Sequence, residues 1–315
     1  MVSGIAAGVA GIDAIVFGHT HRQEAGLRIG NVLLVQPGNW GTSLARLDFD
    51  MEKTAQGWKL TGAHSRLVPV NEHIEPDAEI LRLAKPYHDS AERYLETAVA
   101  EAPAALDSRF SRIEDTALVD AIQEVQLYYA KADVSFAAAF NTGIRVPKGP
   151  LTVRQVAALY PYENQLFAIE GNGRMVKEAL ENAARYFRGC RDAACAEGPL
   201  INRAVMGYNY DMAQGVTYEI DLTRPVGERI VNLRWKGSPL QPGEKLRIAV
   251  NSYRAGASGG YVMFRGARIL WQSNEDLRDL IVAYFTERHR LPTQPDNNWR
   301  VEPEGARRTL HAGVQ

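Results

Sequence analysis

Short apolar runs of the kind found in β-strands mark the first part of the chain. Ile12 to Phe17 is mostly apolar and predicts a buried strand. Asn31 to Gln36 predicts a second strand, and residues Leu44 to Asp50 alternate between apolar and polar, as in a strand with one face in water. Residues 1–74 are therefore predicted to be rich in sheet and poor in helix.

The pattern changes to helical spacing after Pro76. Apolar residues recur every three or four positions from Ile80 to Ala98, which predicts a helix within residues 75–104 that connects two units. Pro86 lies inside this segment and should kink or divide the helix, because proline has no backbone N–H.

Helical and strand-like segments alternate over residues 105–315, which predicts an α/β fold for this second unit. A last helix is expected from about Asn274, with acidic residues in its first turn and basic residues near its end, as the helix dipole favours. The other predicted helices lie around Leu118–Tyr129 and Met175–Ala183, and the predicted strands are Val134–Phe140, Thr217–Leu222, Arg229–Trp235 and Leu246–Val250.

Composition narrows the possible functions. The 315 residues carry 36 Lys+Arg and 37 Asp+Glu, so a net charge of -1 gives no reason to expect a nucleic-acid polymer or a membrane surface as partner. No run approaches the roughly 20 apolar residues of a membrane span, and residues 1–10 lack the features of a signal peptide. Cys190 and Cys195 are either two free thiols or a small-loop disulfide.

Gly18-His19-Thr20-His21 is the sharpest local candidate for chemistry. Two imidazoles separated by one residue point the same way when the backbone is extended, so both could address one metal cluster from the end of the preceding strand. The alternative is a pair of surface histidines in a turn, and the sequence does not decide between the two.

The segment Asp13 to His21 resembles the last metal-binding motif of calcineurin-like metallophosphoesterases, and Val35 to Gly41 resembles the segment that follows it in 5'-nucleotidases. The resemblance implies that His19 binds one divalent ion and His21 its neighbour, with Zn, Mn or a similar metal at both places. The earlier motifs of that family (Asp-x-His, a bridging Asp, Asn-His-Glu and a further His) are not found before His19. We therefore expect an N-terminally truncated chain with no catalytic residue of its own.

A second resemblance covers residues 109–301, which are similar to the C-terminal domain of 5'-nucleotidases. Asn141-Thr142-Gly143-Ile144-Arg145 resembles the Asn-x-Gly-Gly-Ile-Arg segment of that domain, with one glycine missing. The resemblance implies that Asn141, Gly143 and Arg145 bind substrate, and the planar donors of Arg145 would suit phosphate or ribose oxygens. Without the resemblance, Arg145 would be an ordinary exposed turn residue.

Two further segments resemble the aromatic loops that hold the base in this family. Pro161-Tyr162-Glu163-Asn164 resembles the Pro-Phe-x-Asn segment of the first loop. Asn251 to Gly256 and Ser258 to Tyr261 resemble the second loop, and their sequence is closer to that of the 2',3'-cyclic-nucleotide phosphodiesterase branch. The resemblance implies that Tyr162 and Tyr253 clamp the base and that Asn164 contacts its edge. Two half-buried aromatic residues without a ligand are the alternative. Trp271 and Trp299 are expected to pack in the core.

The sequence therefore predicts the end of a metallophosphoesterase sheet domain, a connecting helix and a complete 5'-nucleotidase C-terminal α/β domain. The function implied by resemblance is metal-dependent hydrolysis of nucleotide phosphate esters in the periplasm or outside the cell, with a nucleotide or nucleoside as the partner. A nucleotide-binding module without catalysis is an alternative, and so is a separate chain that supplies the missing half-domain.

We predict that the purified chain hydrolyses neither 5'-AMP nor 2',3'-cyclic AMP appreciably with Mn²⁺ or Zn²⁺. His19 and His21 are two ligands, whereas a hydrolytic site needs about three protein ligands for each metal. Phosphate release with each metal is the measurement. Turnover that is lost in His19→Ala would show that the chain holds a working metal site.

Overall fold

Two units, divided between His88 and Asp89, make up the part of the chain that the structure describes. The structure is a computed structural model, and it describes residues 2–196 and 198–314. The division into residues 1–74, 75–104 and 105–315 stays a prediction. No helix in the described ranges is long and apolar enough to cross a membrane.

Strands dominate the first unit, as predicted. β3 is its best-buried strand, since β1 pairs with it in parallel and β2 pairs with it antiparallel on the other side, while β4 and β5 form a long hairpin. β2 and β5 were not predicted, because mostly exposed residues interrupt their apolar pattern. The elements are Val2–Gly8 (α1), Ala14–Val16 (β1), Gln23–Ile29 (β2), Val32–Pro37 (β3), Ser43–Thr54 (β4) and Gly57–Pro69 (β5).

The predicted connecting helix is present as Ala78–Leu95 (α2), but it is shorter than residues 75–104. Pro86 lies inside it without dividing it, so the expected division was wrong, while a kink at Pro86 stays a prediction. No residue of α2 is buried, so water can reach the carbonyl group that loses its N–H partner at a proline. After α2 the chain becomes a strand, Ala98–Ala102, which pairs antiparallel with residues 149–152 and buries Val99, Ala100 and Ala102.

Helices and strands alternate in the second unit, as predicted. Its strands are Ala98–Ala102 (β6), Leu106–Asp107 (β7), Val134–Ala138 (β8), Arg145–Val146 (β9), Gly149–Thr152 (β10), Gln165–Asn172 (β11), Asp211–Gln214 (β12), Val216–Asp221 (β13), Ile230–Trp235 (β14), Ser238–Pro239 (β15), Lys245–Asn251 (β16), Ile269–Asp276 (β17) and Trp299–Glu302 (β18). Its helices are Ala117–Ala130 (α3), Val153–Leu159 (α4), Gly173–Ala184 (α5), Ser252–Ala255 (α6), Leu277–Arg288 (α7) and Glu304–Val314 (α8).

A five-stranded sheet with the order β12-β8-β16-β11-β17 lies between two apolar cores. β16 shows why both faces are covered: Ile248 and Val250 belong to one core and Ala249 to the other, and all three are fully buried. Residues of α3, α4 and α7 fill the core that contains Ala249. Residues of α5 and of the second sheet, β15-β14-β13-β18, fill the other.

Tertiary pairing overrides the local pattern near the end of the chain. The helix predicted from Asn274 begins at Leu277, because the residues up to Asp276 continue β17 and pair with β11. It is also not the last helix, since α8 follows. The cysteine alternatives are resolved in favour of the disulfide Cys190–Cys195. Trp299 is buried in one core, as expected, and Trp271 packs partly buried against the other.

Three carboxylates meet at the start of α3. Oxygens of Asp115, Asp120 and Asp296 lie within 4.8 Å of one another, and only 8% of Asp115 and of Asp120 is exposed. The backbone N–H of Asp296 donates to Asp120 Oδ2 (3.1 Å), and that of Asn298 donates to Asp115 Oδ2 (3.2 Å). Burial and the negative charge of Asp115 raise the pKa of Asp120 to about 8, and burial and Asp296 raise the pKa of Asp115 to about 6.

We predict that these carboxyls make the chain less stable as pH rises. Between about pH 4 and pH 8 the folded state keeps a proton on Asp120 that the unfolded state releases, so the free energy of unfolding falls with pH, by up to about 1.4 kcal/mol per pH unit for each retained proton. Asp120→Asn removes this term. Urea unfolding at pH 5.5 and pH 8 should therefore show a smaller pH dependence in Asp120→Asn, with the gain in stability greatest at pH 8.

The exposed Glu228 provides the matched control, since Glu228→Gln also removes one carboxylate. Its pH dependence should follow that of the unchanged chain. Equal pH dependence in Asp120→Asn and the unchanged chain would contradict the assignment.

Candidate functional site

Four segments of the second unit meet at one end of the central sheet. β8 and β16 run parallel, so both finish there. β11 and β12 run antiparallel to their neighbours and begin there, with Leu166 opposite Asn251 and Asp211 opposite Ala138. The residues just outside these strands therefore come together, although they are distant in sequence. They include Phe140, Tyr162, Tyr208 and Tyr253.

Tyr162 and Tyr253, the two predicted clamp residues, are both partly exposed at this end of the sheet, by 43% and 44%. The ring of Tyr162 packs edge-to-face on Phe140, with 4.9 Å between ring centroids. Partial burial raises the pKa of Tyr162, and the nearby phenols of Tyr208 and Tyr253 raise it further. The fold thus brings the two loops together, with Tyr208 as a third aromatic side chain nearby.

Asn164 belongs to a hydrogen-bond network that joins the two aromatic loops. Its Nδ2 donates to the buried hydroxyl of Tyr160 (3.4 Å), and Asn251 Nδ2 donates to the same hydroxyl (3.3 Å). On the other side, the hydroxyl of Ser252 donates to Asn164 Oδ1 (3.4 Å). Burial raises the pKa of Tyr160 to about 12, which keeps this hydroxyl protonated. Contact between Asn164 and a base stays a prediction.

The Asn141–Arg145 segment begins directly after Phe140. Asn141 Oδ1 accepts a hydrogen bond from the N–H of Gly143 (2.9 Å), which closes a local turn. Its Nδ2 donates to the carbonyl oxygen of Ala158 (3.5 Å). The side chain of Arg145 is 74% exposed, and its Nε lies 3.7 Å from Asp107 Oδ2. Arg145 thus lies beside a carboxylate, with most of its side chain in water.

Three charged residues at this end of the sheet were missed by sequence reasoning. Arg254 and Asp211 form a two-bonded ion pair (2.7 and 2.8 Å) whose side chains are each 2% exposed. Arg112 donates to the carbonyl oxygens of Ala139 (2.9 Å) and Phe140 (3.0 Å). Their hydrogen-bond partners are distant in sequence, so no local pattern indicated these roles.

His19 and His21 lie in the first unit, in a turn after β1. Both residues have positive φ angles, 72° and 59°, so the extended backbone assumed for the pair was wrong. A hydrogen bond from the hydroxyl of Thr20 to Gln36 Oε1 (2.9 Å) attaches this turn to β3. Both imidazoles are exposed, and Asn39 Nδ2 lies 3.4 Å from His21 Nδ1.

The described residues around this turn do not provide a dinuclear metal site. Two imidazoles fall short of the three protein ligands that a hydrolytic metal usually has. Among the described residues, the acidic group Asp115, Asp120 and Asp296 is the only group of three candidate ligands close enough to share an ion, and it lies in the other unit.

Comparison with known proteins gives relatives that act on nucleotide esters. A 2',3'-cyclic-nucleotide 2'-phosphodiesterase/3'-nucleotidase of Yersinia enterocolitica is 29% identical over 350 residues, which cover 93% of this chain and 54% of the relative. A trifunctional nucleotide phosphoesterase of Bacillus subtilis is 26% identical over 338 residues, 93% of this chain and 23% of that protein. The chain thus spans about half the length, or less, of these curated relatives.

A solved Staphylococcus aureus structure described as a 5'-nucleotidase, in complex with α-ketoglutarate, superposes with a TM-score of 0.73 and 25% identity. The match covers 95% of this chain and 58% of that one. Residues 96–266 match the family described as 5'-nucleotidase, C-terminal domain, and this range contains all four segments that meet at the end of the sheet. The chain therefore belongs to the 5'-nucleotidase C-terminal domain family.

Proposed function

We propose that this chain supplies nucleoside recognition to a phosphohydrolase that acts on nucleotides, either a 5'-nucleotidase or a 2',3'-cyclic-nucleotide phosphodiesterase/3'-nucleotidase. The observation that supports the proposal is that Tyr162 and Tyr253, two partly exposed residues, lie on distant loops that are joined at one end of the sheet by the hydrogen bond from the Ser252 hydroxyl to Asn164 Oδ1 (3.4 Å). The names of the relatives support the substrate class.

In this proposal the base lies between the rings of Tyr162 and Tyr253. Stacking of a base on an aromatic side chain contributes about 1–3 kcal/mol and accepts any base, so these rings would supply most of the affinity. Asn164 is the candidate contact to the base edge. Asn141, Gly143 and Arg145 are the candidates for ribose or phosphate, and Arg145 has an exposed guanidinium with which to reach either.

His19 and His21 stay candidate ligands of divalent ions such as Zn²⁺ or Mn²⁺, and we propose no catalytic residue within this chain. A nucleotide-binding module without catalysis is the second candidate function, and the missing third ligand beside these histidines in the described chain favours it. The two candidates differ in one measurement. Hydrolysis that appears when a second chain with the remaining metal ligands is added would support the phosphohydrolase, whereas binding without hydrolysis would support the module.

The disulfide also supports a location for the protein. Cys190 and Cys195 are bonded to each other and both are buried. Disulfides persist in oxidising compartments and are rare in the cytosol. We therefore propose a periplasmic or extracellular location.

We predict that the chain binds adenosine and AMP with similar, weak affinity in the absence of metal, because stacking does not depend on the phosphate. Tyr162→Ala should raise both dissociation constants by roughly 5- to 150-fold, the equivalent of one lost stacking contact. Tyr162→Ala/Tyr253→Ala should lose less than the sum of the two single changes, because one ring alone is a poor clamp. Calorimetry or ligand-observed NMR provides the measurement.

Tyr128→Ala is the matched control, since Tyr128 is 44% exposed and lies on α3 among other aromatic residues. It should leave adenosine binding unchanged. If the double variant bound adenosine as tightly as the unchanged chain, Tyr162 and Tyr253 would be packing residues and the proposed site would be wrong.

A further inference from the structure

We propose that Arg254 and Asp211 are positioning residues of the nucleoside site: their buried ion pair fixes the loop that carries Tyr253 to the turn that carries Tyr208. The identity of the ligand as a nucleoside rests on the proposed function. The contacts of Arg254 and Asp211 do not depend on it, so the positioning role and the nucleoside binding can be tested separately.

The guanidinium of Arg254 makes four hydrogen bonds, two to the turn before β12 and two to Asp211, the first residue of that strand. Its Nε donates to Asp211 Oδ2 (2.7 Å), and its Nη2 donates to Asp211 Oδ1 (2.8 Å) and to the carbonyl oxygen of Tyr208 (2.6 Å). Its Nη1 donates to Asn209 Oδ1 (3.3 Å). One side chain therefore contacts three of the four residues from Tyr208 to Asp211.

Tyr261 completes the surroundings of the ion pair. The guanidinium carbon of Arg254 lies 4.3 Å from the Tyr261 ring centroid, a distance at which a cation is attracted to the ring. The Tyr261 hydroxyl donates to the carbonyl oxygen of Asn209 (3.2 Å) and accepts from the N–H of Asp211 (3.1 Å). Burial disfavours the charged guanidinium, but Asp211 reverses that effect and raises the pKa of Arg254 above its usual value.

Tyr253 depends on its neighbours for a fixed position, because it is 44% exposed and belongs to a helix of only four residues, Ser252–Ala255. The N–H of Arg254 donates to Asn251 Oδ1 (2.9 Å), which ties this helix to the end of β16. The guanidinium of Arg254 connects this helix to the Tyr208 turn. Gly259 leaves room for the guanidinium, since a Cβ at position 259 would lie 2.5 Å from Arg254 Nη1.

Stability alone gives little reason for such a pair. Replacing a buried ion pair with apolar residues of similar volume is often neutral or stabilising, whereas removing one partner is strongly destabilising. Hydrogen bonds are directional, whereas apolar contacts are not. The bonds of the ion pair therefore fix the guanidinium relative to particular atoms of the turn, which an apolar replacement would not do. A positioning role therefore predicts that apolar replacement keeps the fold and loses the position of Tyr253.

The test uses the full chain with 3-fluorotyrosine at position 253, observed by ¹⁹F NMR. Arg254→Met/Asp211→Leu replaces the pair with apolar residues, and Asn209→Ala removes one bond while it keeps the pair. Arg265→Met, at an exposed arginine, is the matched control. We expect the fluorotyrosine signal to broaden or split in the double variant and to shift in Asn209→Ala, with the urea midpoint of the double variant close to that of the unchanged chain.

Adenosine binding is measured on the same proteins without the fluorine label. The dissociation constant should rise roughly 5-fold or more in the double variant, as expected when one ring no longer stacks, and should stay unchanged in Arg265→Met. If the unchanged chain does not bind adenosine, the proposed function fails, and the ¹⁹F signal alone decides the positioning role.

An unchanged ¹⁹F signal in a folded double variant would overturn the positioning role. If the double variant does not fold, Asn209→Ala decides: its signal must move further than that of Arg265→Met, and equal signals would also overturn the proposal. A changed signal with unchanged adenosine affinity would likewise remove Arg254 and Asp211 from the recognition site.

Discussion

Strand register in the central sheet determines which parts of the chain can meet. Leu166 pairs with Asn251 and Asp211 pairs with Ala138, so segments distant in sequence finish or begin at the same end. A slip of one residue would exchange the two faces of a strand, and in β16 it would place Ala249 where larger side chains are packed. Both cores oppose such a slip. The apolar packing on the two faces of the sheet therefore determines where the aromatic residues at the strand ends lie.

Polar side chains then link the loops beyond the strands. The Tyr160 hydroxyl joins Asn164 to Asn251, and Arg254 joins its own loop to Asp211. These links lie beneath the partly exposed tyrosines rather than among them. The site therefore has two layers: a buried polar layer that fixes loop positions, and an aromatic layer open to a ligand.

Local pattern was sufficient for features that depend on neighbouring residues. The apolar run that became β8 and the motif around Tyr162 were both visible in the sequence. Features that depend on distant residues were not: Arg254 and Asp211 are 43 positions apart, and the pairing of Asp276 with β11 replaced a helix start by a strand end. The turn at His19 was one of two alternatives that the sequence left open, since a positive φ outside glycine has no clear signature in the sequence.

The meeting of four short segments at one end of the sheet also bears on how such a domain can change. Each segment is anchored by its own strand, so an insertion or substitution in one loop need not alter the register of the others. New ligand preferences could therefore arise from changes at a few positions in these four segments, while the sheet and its two cores stay unchanged. A mutant library confined to these four loops would sample recognition with little risk to folding, provided that the residues linking the loops from below were left alone.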